Sequence, residues 1–219
     1  MADGRILLTG ATGNVGPHLL AGLLQSGDDE VACLVRAGDD EAGRARVLGA
    51  LASAGYDARA LGPRVAAVAG DLALPRFGLA PAAWAALADT TRHVVHCGAW
   101  LGQRERFSVG ALTNIAGTTA AVDLCARAGA PLDYVSTIGV LAWTTPGPDG
   151  ALLEDAPTAP PEPPRDDTGQ YAYHFSKWMA EQIAAYAAGA VPVTVHRLGD
   201  VFAQAADAPL SAVANVITT

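Results

Sequence analysis

The stretch Arg5-Ile-Leu-Leu-Thr-Gly-Ala-Thr-Gly-Asn-Val-Gly16 joins a short apolar run to three glycines that are spaced three residues apart. The apolar run suits a strand buried on both faces, and the amphipathic segment 15–24 suits a helix. Gly10 permits a tight turn, Gly13 lets the backbone approach a pyrophosphate, and Gly16 lets the helix pack closely on the strand. The helix N-terminus offers free N–H groups and a partial positive charge. The stretch therefore predicts a dinucleotide-binding turn.

Further apolar runs repeat this strand and helix pattern along the chain. A glycine-rich turn without a ligand is the alternative interpretation of the first stretch, but a second apolar strand follows at the spacing that the nucleotide motif requires. The strand-like runs are 6–9, 31–35, 65–68, 93–96, 132–136 and 193–197. Their alternation with helical segments predicts a doubly wound parallel α/β sheet, with helices on both faces and strand order 3-2-1-4-5-6.

Composition limits the classes of function. The 219 residues are 51% hydrophobic and carry a formal charge of -8, which argues against a general nucleic-acid binder. We find no uninterrupted apolar run that could span a membrane and no signal peptide before the first strand, so we expect a cytoplasmic protein. The cysteines at 33, 97 and 125 are odd in number. They predict buried reduced thiols, with no disulfide framework and no metal site.

The end of the second strand decides the choice of nicotinamide cofactor. NAD-preferring proteins generally place an acid there, whereas this chain has Arg36. An arginine favours the 2'-phosphate of NADPH, and Arg46 on the following helix could turn back to the same group. Arg44 is displaced around that helix and is the weaker candidate. The alternative is that these arginines are solvated surface residues.

Residues at the ends of the third and fourth strands add to the predicted nucleotide site. Asp71 and Leu72 suit an adenine ring through a hydrogen bond and apolar packing, although Asp71 could instead cap a turn. Gly98 and Ala99 leave space for a cofactor beside the backbone. Asn114 lies in the next helical segment and could support a hydrogen-bond relay or only a helix turn.

The fifth strand and the helical segment that follows the Pro-rich stretch carry the candidate catalytic groups, which are hydroxyls, a phenol and an ammonium. Ser136 and Thr137 end that strand at the carboxyl edge of the sheet, where a hydroxyl can hydrogen-bond a substrate carbonyl. Tyr173 and Lys177 are four residues apart and project from nearly the same helix face. A nearby cation lowers the pKa of a phenol, so we expect Tyr173 to be a proton donor. Tyr171 lies on a different face and is the weaker candidate.

Six segments together resemble the extended short-chain dehydrogenase/reductase superfamily. They are Thr9-Gly-Ala-Thr-Gly-Asn-Val-Gly16, Cys33-Leu-Val-Arg-Ala37, Gly70-Asp-Leu72, His96-Cys-Gly-Ala99, Tyr134-Val-Ser-Thr137 and Tyr173-His-Phe-Ser-Lys-Trp-Met-Ala-Glu181. Within the superfamily the chain is most similar to the thioester reductase domains of nonribosomal peptide synthetases, polyketide synthases and carboxylic acid reductases. The resemblance implies NADPH-dependent reduction of a phosphopantetheine-bound acyl or peptidyl thioester on a carrier protein, giving an aldehyde or an alcohol.

The resemblance also implies roles for individual residues. Thr137, Tyr173 and Lys177 match the catalytic triad of the family, with Lys177 holding the nicotinamide ribose. The predicted cofactor-binding residues are Thr9, Gly10, Thr12, Gly13, Asn14, Val15, Gly16, Arg36, Arg46, Asp71, Leu72, Gly98, Ala99, Asn114, Ser136, Tyr173 and Lys177.

Two departures from the family pattern bear on this interpretation. His96-Cys97 stands where the family is expected to have His-Asn, and His96 is predicted to be a packed or hydrogen-bonded residue rather than a catalyst. The chain also ends soon after the sixth strand. We expect residues 1–199 to form the nucleotide-binding domain, with the Pro-rich segment 143–170 as a loop and possible lid, and 200–219 to begin a truncated substrate-binding region.

Two other functions are open at this stage. A sugar-nucleotide epimerase or dehydratase would use the same scaffold and regenerate its cofactor, so net NADPH consumption separates it from a reductase. A non-catalytic nucleotide-binding module is favoured by the short chain and disfavoured by the presence of Thr137, Tyr173 and Lys177.

Overall fold

A computed structural model describes residues 4–101, 107–154, 158–162, 170–199 and 201. The strands are β1 (Arg5–Thr9), β2 (Val31–Val35), β3 (Val65–Ala69), β4 (Thr91–His96), β5 (Leu132–Thr137) and β6 (Val193–Leu198). The helices are α1 (Gly16–Ser26), α2 (Asp40–Ser53), α3 (Ala58–Leu61), α4 (Pro81–Thr90), α5 (Phe107–Ala111), α6 (Gly117–Ala128) and α7 (Gln170–Ala187). Short 3-10 helices cover Gly62–Arg64, Pro75–Gly78 and Ile138–Trp143, and a π-helix covers Leu112–Ala116.

The six strands form one parallel sheet with the order β3-β2-β1-β4-β5-β6. The predicted fold class and strand order are confirmed. Strand order reverses between β1 and β4, where Leu8 of β1 pairs with Cys33 on one side and with Val95 on the other. The carboxyl ends of β1 and β4 therefore flank the crevice in which this architecture places its ligands.

Alternate residues of each strand face two separate core layers. On one face Leu7 and Leu132 pack with α4, α6 and α7, including the buried Trp84. On the other face Leu8 and Val95 pack with α1 and α2. Strands buried on both faces need apolar residues at successive positions, which explains the continuous runs read from the sequence.

The Pro-rich segment is tied to α7 where the structure describes it. Thr144 and Thr158 form an antiparallel bridge, and Trp178 of α7 donates its indole N–H to the Thr158 hydroxyl at 2.8 Å. Positions 155–157 and 163–169 of this segment lie outside the described residues, as do 200 and 202–219 of the predicted substrate-binding region. The domain division and the lid therefore stay predictions.

Within the described residues, no helix combines the length and apolar character needed to cross a membrane. All three cysteines are free thiols. Cys33 and Cys125 are buried as expected, whereas Cys97 is only partly buried because it lines the cavity described below.

Candidate cofactor and catalytic site

The glycine-rich turn brings the ends of β1 and β4 into backbone contact. Gly10 has a φ of +76°, and a Cβ at this position would lie 2.6 Å from the Gly98 nitrogen. A Cβ on Gly16 would overlap the Gly10 carbonyl oxygen and would lie 2.7 Å from the Ala11 Cα. These positions need glycine because any side chain would push apart the turn, the end of β4 and the start of α1. The tight turn and the close helix packing predicted from the sequence are both present.

The start of α1 is open toward the same crevice. Its N-cap position, Val15, provides no side-chain hydrogen bond, and Pro17 occupies the first turn. Helix N-termini have unpaired N–H groups and a partial positive charge, which suit a phosphate. The turn therefore has the geometry and the polarity of a pyrophosphate site.

A cavity of about 1050 Å³ extends from this turn along the carboxyl edge of the sheet. Its volume lies just above the usual range for small-molecule sites, roughly 300 to 1,000 Å³. The predicted residues that line it are Gly10, Thr12, Gly13, Asn14, Val15, Gly16, Arg36, Arg46, Asp71, Leu72, Gly98, Ala99, Ser136, Thr137, Tyr173 and Lys177. The structure thus brings the nucleotide turn and the three candidate catalytic residues to one cavity.

The three arginines near β2 differ in their surroundings. Arg36 and Arg46 are exposed and line the cavity, and the Arg46 guanidinium donates to the Arg36 backbone carbonyl. Arg46 therefore does turn back toward the end of β2. Arg44 instead donates to the carbonyls of Val65, at 2.9 Å, and Gly62, at 2.7 Å, and so fastens α2 to the start of β3.

Asp71 has a structural contact as well as a place on the cavity wall. Its carboxylate accepts a hydrogen bond from the Ala73 backbone N–H at 2.9 Å. The turn-capping alternative for Asp71 is therefore present in the structure, and adenine recognition by this residue stays a prediction.

Two predicted cofactor residues, Thr9 and Asn114, do not line the cavity. Thr9 is fully buried and accepts from the Gly98 N–H at 2.9 Å. Asn114 lies in the π-helix, accepts from the Trp100 N–H at 2.6 Å and donates to the Ser176 hydroxyl at 2.8 Å. Thr9 binds the backbone of Gly98, and Asn114 binds the backbone of Trp100, and both of these partners line the cavity. Thr9 and Asn114 therefore support the cavity wall from behind.

The hydroxyl groups at the end of β5 have unequal roles. Thr137 is half-buried, and its hydroxyl oxygen accepts from the Gly139 N–H at 3.1 Å at the start of the 3-10 helix. Ser136 is buried, and its hydroxyl has no hydrogen-bond partner among the residues that the structure describes. A buried polar atom without a partner costs free energy, so Ser136 is suited to receive a hydrogen bond from a ligand.

Lys177 is the only lysine in the sequence and is almost completely buried. Its ammonium donates to the Val135 carbonyl at 2.7 Å and lies 4.2 Å from the centre of the Tyr134 ring. Burial lowers its pKa to about 7, against the opposing effects of Cys97 and Glu181. The group is therefore poised between its charged and neutral forms near neutral pH.

The expectation that the Tyr173 pKa is lowered is wrong for this structure. Burial, followed by the charge of Cys97, raises the pKa of Tyr173 to about 12. Desolvation disfavours the charged phenolate, and the expected lowering by Lys177 is not among the effects that act on this phenol. Tyr173 is therefore a fully protonated phenol at neutral pH.

The helix that carries both residues is fixed by an ion pair to β6. Arg197 donates from Nη2 to the Glu181 carboxylate at 2.9 Å and from Nε at 3.2 Å. Glu181 is buried, so this contact is shielded from water. It holds α7 against the sheet one turn beyond Lys177.

Sequence reasoning missed several residues that line the cavity. They are Leu34, Val35, Gly70, Cys97, Trp100, Leu101, Thr113, Val135, His174, Leu198, Gly199 and Val201. Cys97 is the most informative, because burial raises its pKa to about 11 despite the opposing charge of Lys177. Cys97 could have been predicted to line the cavity, because it directly precedes Gly98 in the sequence. Trp100 and Leu101 could not, because their positions depend on the path of the chain after β4.

The fold and the site define the class of protein. A six-stranded parallel sheet, a glycine-rich turn at the reversal of strand order and a tyrosine and lysine on one cavity wall describe a Rossmann-type domain of the short-chain dehydrogenase/reductase kind. The chain belongs to the NAD_binding_4 family, described as Male sterility protein, whose sequence profile matches residues 8–217.

Three proteins to which the chain is similar are a lipopeptide synthase and two reductase (R) domains. The chain is 40% identical over 200 residues to an isonitrile lipopeptide synthase of Streptomyces coeruleorubidus. The matched region covers 89% of this chain and 13% of that synthase. The chain is 33% identical, with a TM-score of 0.79, to the terminal R domain of the myxalamid PKS-NRPS pathway, covering 90% and 48% of the two chains. It is 32% identical, with a TM-score of 0.72, to a nonribosomal peptide synthetase reductase (R) domain from Mycobacterium tuberculosis, covering 89% and 47%. The chain thus spans about half the length of these R domains.

Proposed function

We propose that this chain is the nucleotide-binding part of an NADPH-dependent reductase that acts on acyl or peptidyl thioesters held by a carrier protein. The similarity to R domains supports this substrate class. The observation that carries the proposal is the common cavity, which Thr137, Tyr173 and Lys177 line together with the glycine-rich turn. The product would be an aldehyde, or an alcohol after a second reduction, in natural-product biosynthesis.

The residues present fit a nicotinamide dinucleotide. The glycine cradle at Gly10 and Gly16 leaves no space for side chains, and the open N-terminus of α1 suits a pyrophosphate. Ser136 provides a buried hydroxyl that lacks a partner among the described residues. When bound, the nicotinamide would supply the hydride that reduces the acyl carbon.

Tyr173 is suited to donate the proton. Its raised pKa keeps the phenol protonated across the neutral range, so it can hydrogen-bond a carbonyl oxygen and transfer a proton as negative charge develops there. The Thr137 hydroxyl is the second group within the same wall that can polarise that oxygen. Lys177 would hold the nicotinamide ribose with the N–H groups that it does not donate to the Val135 carbonyl.

The preference for NADPH over NADH rests on charge. Arg36 and Arg46 are exposed guanidinium groups on the cavity wall at the end of β2, and guanidinium suits a 2'-phosphate. The partner would be an acyl or peptidyl carrier protein with a phosphopantetheine-bound substrate. A cytoplasmic location stays a prediction, which cell fractionation tests.

The test measures cofactor binding and turnover separately. NADPH is titrated by fluorescence into the 219-residue chain, and NADPH oxidation is then followed with a panel of acyl thioesters on pantetheine and on a carrier protein. Both assays are repeated with a form of the protein extended past Thr219 and with Tyr173→Phe in each form.

Each alternative function gives a different result. Thioester-dependent consumption of NADPH that is lost in Tyr173→Phe supports the reductase. Conversion of a sugar nucleotide without net NADPH consumption would indicate an epimerase or dehydratase. Tight NADPH binding without turnover of any thioester by either form would indicate a nucleotide-binding module and would refute the proposal.

A further inference from the structure

A chain of buried hydrogen bonds runs behind the candidate site and passes through His96. The Thr9 hydroxyl oxygen accepts from the Gly98 N–H at 2.9 Å and lies 2.7 Å from His96 Nδ1. On the other side of the ring, His96 Nε2 lies 3.2 Å from the Thr118 hydroxyl, which donates to the Asn114 carbonyl at 2.7 Å. His96, Thr9 and Thr118 are all almost completely buried.

The direction of these bonds fixes the position of the imidazole proton. The Thr118 hydroxyl hydrogen is used by the Asn114 carbonyl, so its oxygen must accept from His96. Nε2 therefore carries the proton. Nδ1 is then an acceptor, and the Thr9 hydroxyl donates to it while its oxygen accepts from Gly98. All four hydrogen bonds therefore run in the same direction, from the Gly98 amide to the Asn114 carbonyl.

We propose that His96 is a positioning residue that, as the Nε2–H tautomer, holds the end of β4 against the glycine-rich turn and links it to the π-helix. The inference rests on the proposed function, since Gly98 borders the proposed NADPH site. It goes beyond that function, because His96 does not line the cavity and was expected only to be packed or hydrogen-bonded.

The link matters because both of its ends carry parts of the site. At one end, the Gly98 nitrogen approaches Gly10 so closely that no Cβ fits between them. At the other end, the Asn114 side chain holds Trp100 and the Ser176 hydroxyl, and Ser176 donates to the Tyr173 carbonyl at 2.7 Å. A break at His96 would therefore loosen the turn and the catalytic helix together.

The surroundings of His96 favour a neutral ring. The ring stacks on Tyr134 at 5.7 Å, and burial together with the charge of Lys177 lowers its pKa to about 3. A protonated ring would carry hydrogen at both nitrogens and would reverse the bond to Thr9. The charged side chain that bears on it is Lys177, which disfavours protonation.

The chain offers a matched pair of variants for the test. Thr118→Val removes the hydroxyl that accepts from His96, and Thr118→Ser keeps it. Thr119→Val is the control, because Thr119 makes the same kind of bond to the carbonyl four residues earlier, at 2.9 Å to Ile115, but is exposed and lies outside the chain of bonds. The three variants and the wild type are compared as the full 219-residue protein.

Nitrogen-detected NMR of the ring and NADPH titration are the two measurements. The sequence has five histidines, so the His96 signals can be assigned with a His96→Gln variant. In the wild type we expect the Nε2–H tautomer with no titration between pH 5 and 8. Thr118→Val should add Nδ1–H tautomer and weaken NADPH binding about three- to tenfold, as for one lost hydrogen bond. Thr118→Ser and Thr119→Val should match the wild type.

Several outcomes would overturn the inference. A wild-type Nδ1–H tautomer, or titration of His96 in the neutral range, would show that the bonds run differently, and this result needs no variant to fold. An unchanged affinity for NADPH in folded Thr118→Val would show that His96 does not position the site. Failure to reduce any thioester would count against the proposed function alone, whereas failure of the wild type to bind NADPH would refute both.

Discussion

Replacement of the buried lysine by a neutral side chain of similar length should make the protein more stable at neutral and acidic pH. Lys177 loses nearly all contact with water, and burial lowers its pKa from 10.5 to about 7. Methionine retains the length of the side chain and removes the cost of the buried charge. It also removes the hydrogen bond to the Val135 carbonyl.

The sign and size of the effect follow from proton binding. Between pH 7 and 10.5 the unfolded chain keeps the lysine proton and the folded chain releases it, so wild-type stability rises with pH in this window. At about 1.4 kcal/mol per pH unit, the full window corresponds to roughly 5 kcal/mol. The lost hydrogen bond opposes this gain by about 1 kcal/mol. Lys177→Met should therefore be more stable than the wild type below pH 7 and less stable above pH 10.5.

Urea unfolding followed by fluorescence of the four tryptophans tests this prediction between pH 6 and 10. The difference in unfolding free energy between the two proteins should fall by about 1.4 kcal/mol for each pH unit above 7. Gln182→Met, on an exposed position of the same helix, is the control and should show no such slope. Parallel curves for the wild type and Lys177→Met would refute the reasoning, because they would mean that Lys177 keeps an ordinary pKa in the folded protein.

Three further substitutions test the cofactor site, the proton donor and the sheet. Arg36→Ala should weaken NADPH by about 1.5 to 3 kcal/mol in titrations and leave NADH nearly unchanged; equal losses for both would contradict 2'-phosphate recognition. Tyr173→Phe should reduce thioester turnover by about 10² to 10⁴ with little change in NADPH affinity, and the exposed Tyr171→Phe should not. Asp133→Asn should destabilise the protein by about 1 to 3 kcal/mol at pH 7, because hydrogen bonds from two histidines outweigh burial and lower the Asp133 pKa. That loss should shrink in urea unfolding as pH falls from 3.8 toward the lower pKa of the folded protein, because the unfolded wild-type chain takes up a proton first; a constant difference would be inconsistent with a charged partner.

The fold could be predicted because its signals are local. β2 and the centre of β1 are continuous apolar runs because they are buried on both faces, whereas β4, β5 and β6 also carry polar residues. Helical segments alternate with the strands along the chain. A Cβ on Gly16 would meet Gly10 and Ala11, which are near in the chain, whereas a Cβ on Gly10 would meet Gly98 after β4. The glycine spacing predicted the turn together with the strand before it, the helix after it and the second strand. The strand order then followed from the usual connection rules.

The site could be predicted only in part, because some properties depend on contacts between distant residues. The position of Tyr173 beside Lys177 follows from helix spacing, but the raised pKa of Tyr173 depends on burial by the whole sheet. Asn114 was assigned to the cofactor, yet the π-helix turns its side chain toward Trp100 and Ser176. Thr9 is hydrogen-bonded to His96 and Gly98, which lie nearly ninety positions later in the sequence, and His96 is also bonded to Thr118. No rule of sequence spacing links these positions, so the sequence alone could not predict these roles.

That Lys177 is the only lysine has a practical consequence for following motion in the site. A reagent that acylates amines can reach this side chain only through the cavity that Lys177 lines or when α7 opens. The rate of appearance of one mass-labelled peptide, with and without NADPH, would then report access to the cavity, without signal from other lysines. The unmodified chain thus contains its own single-site probe for exposure of the reaction chamber.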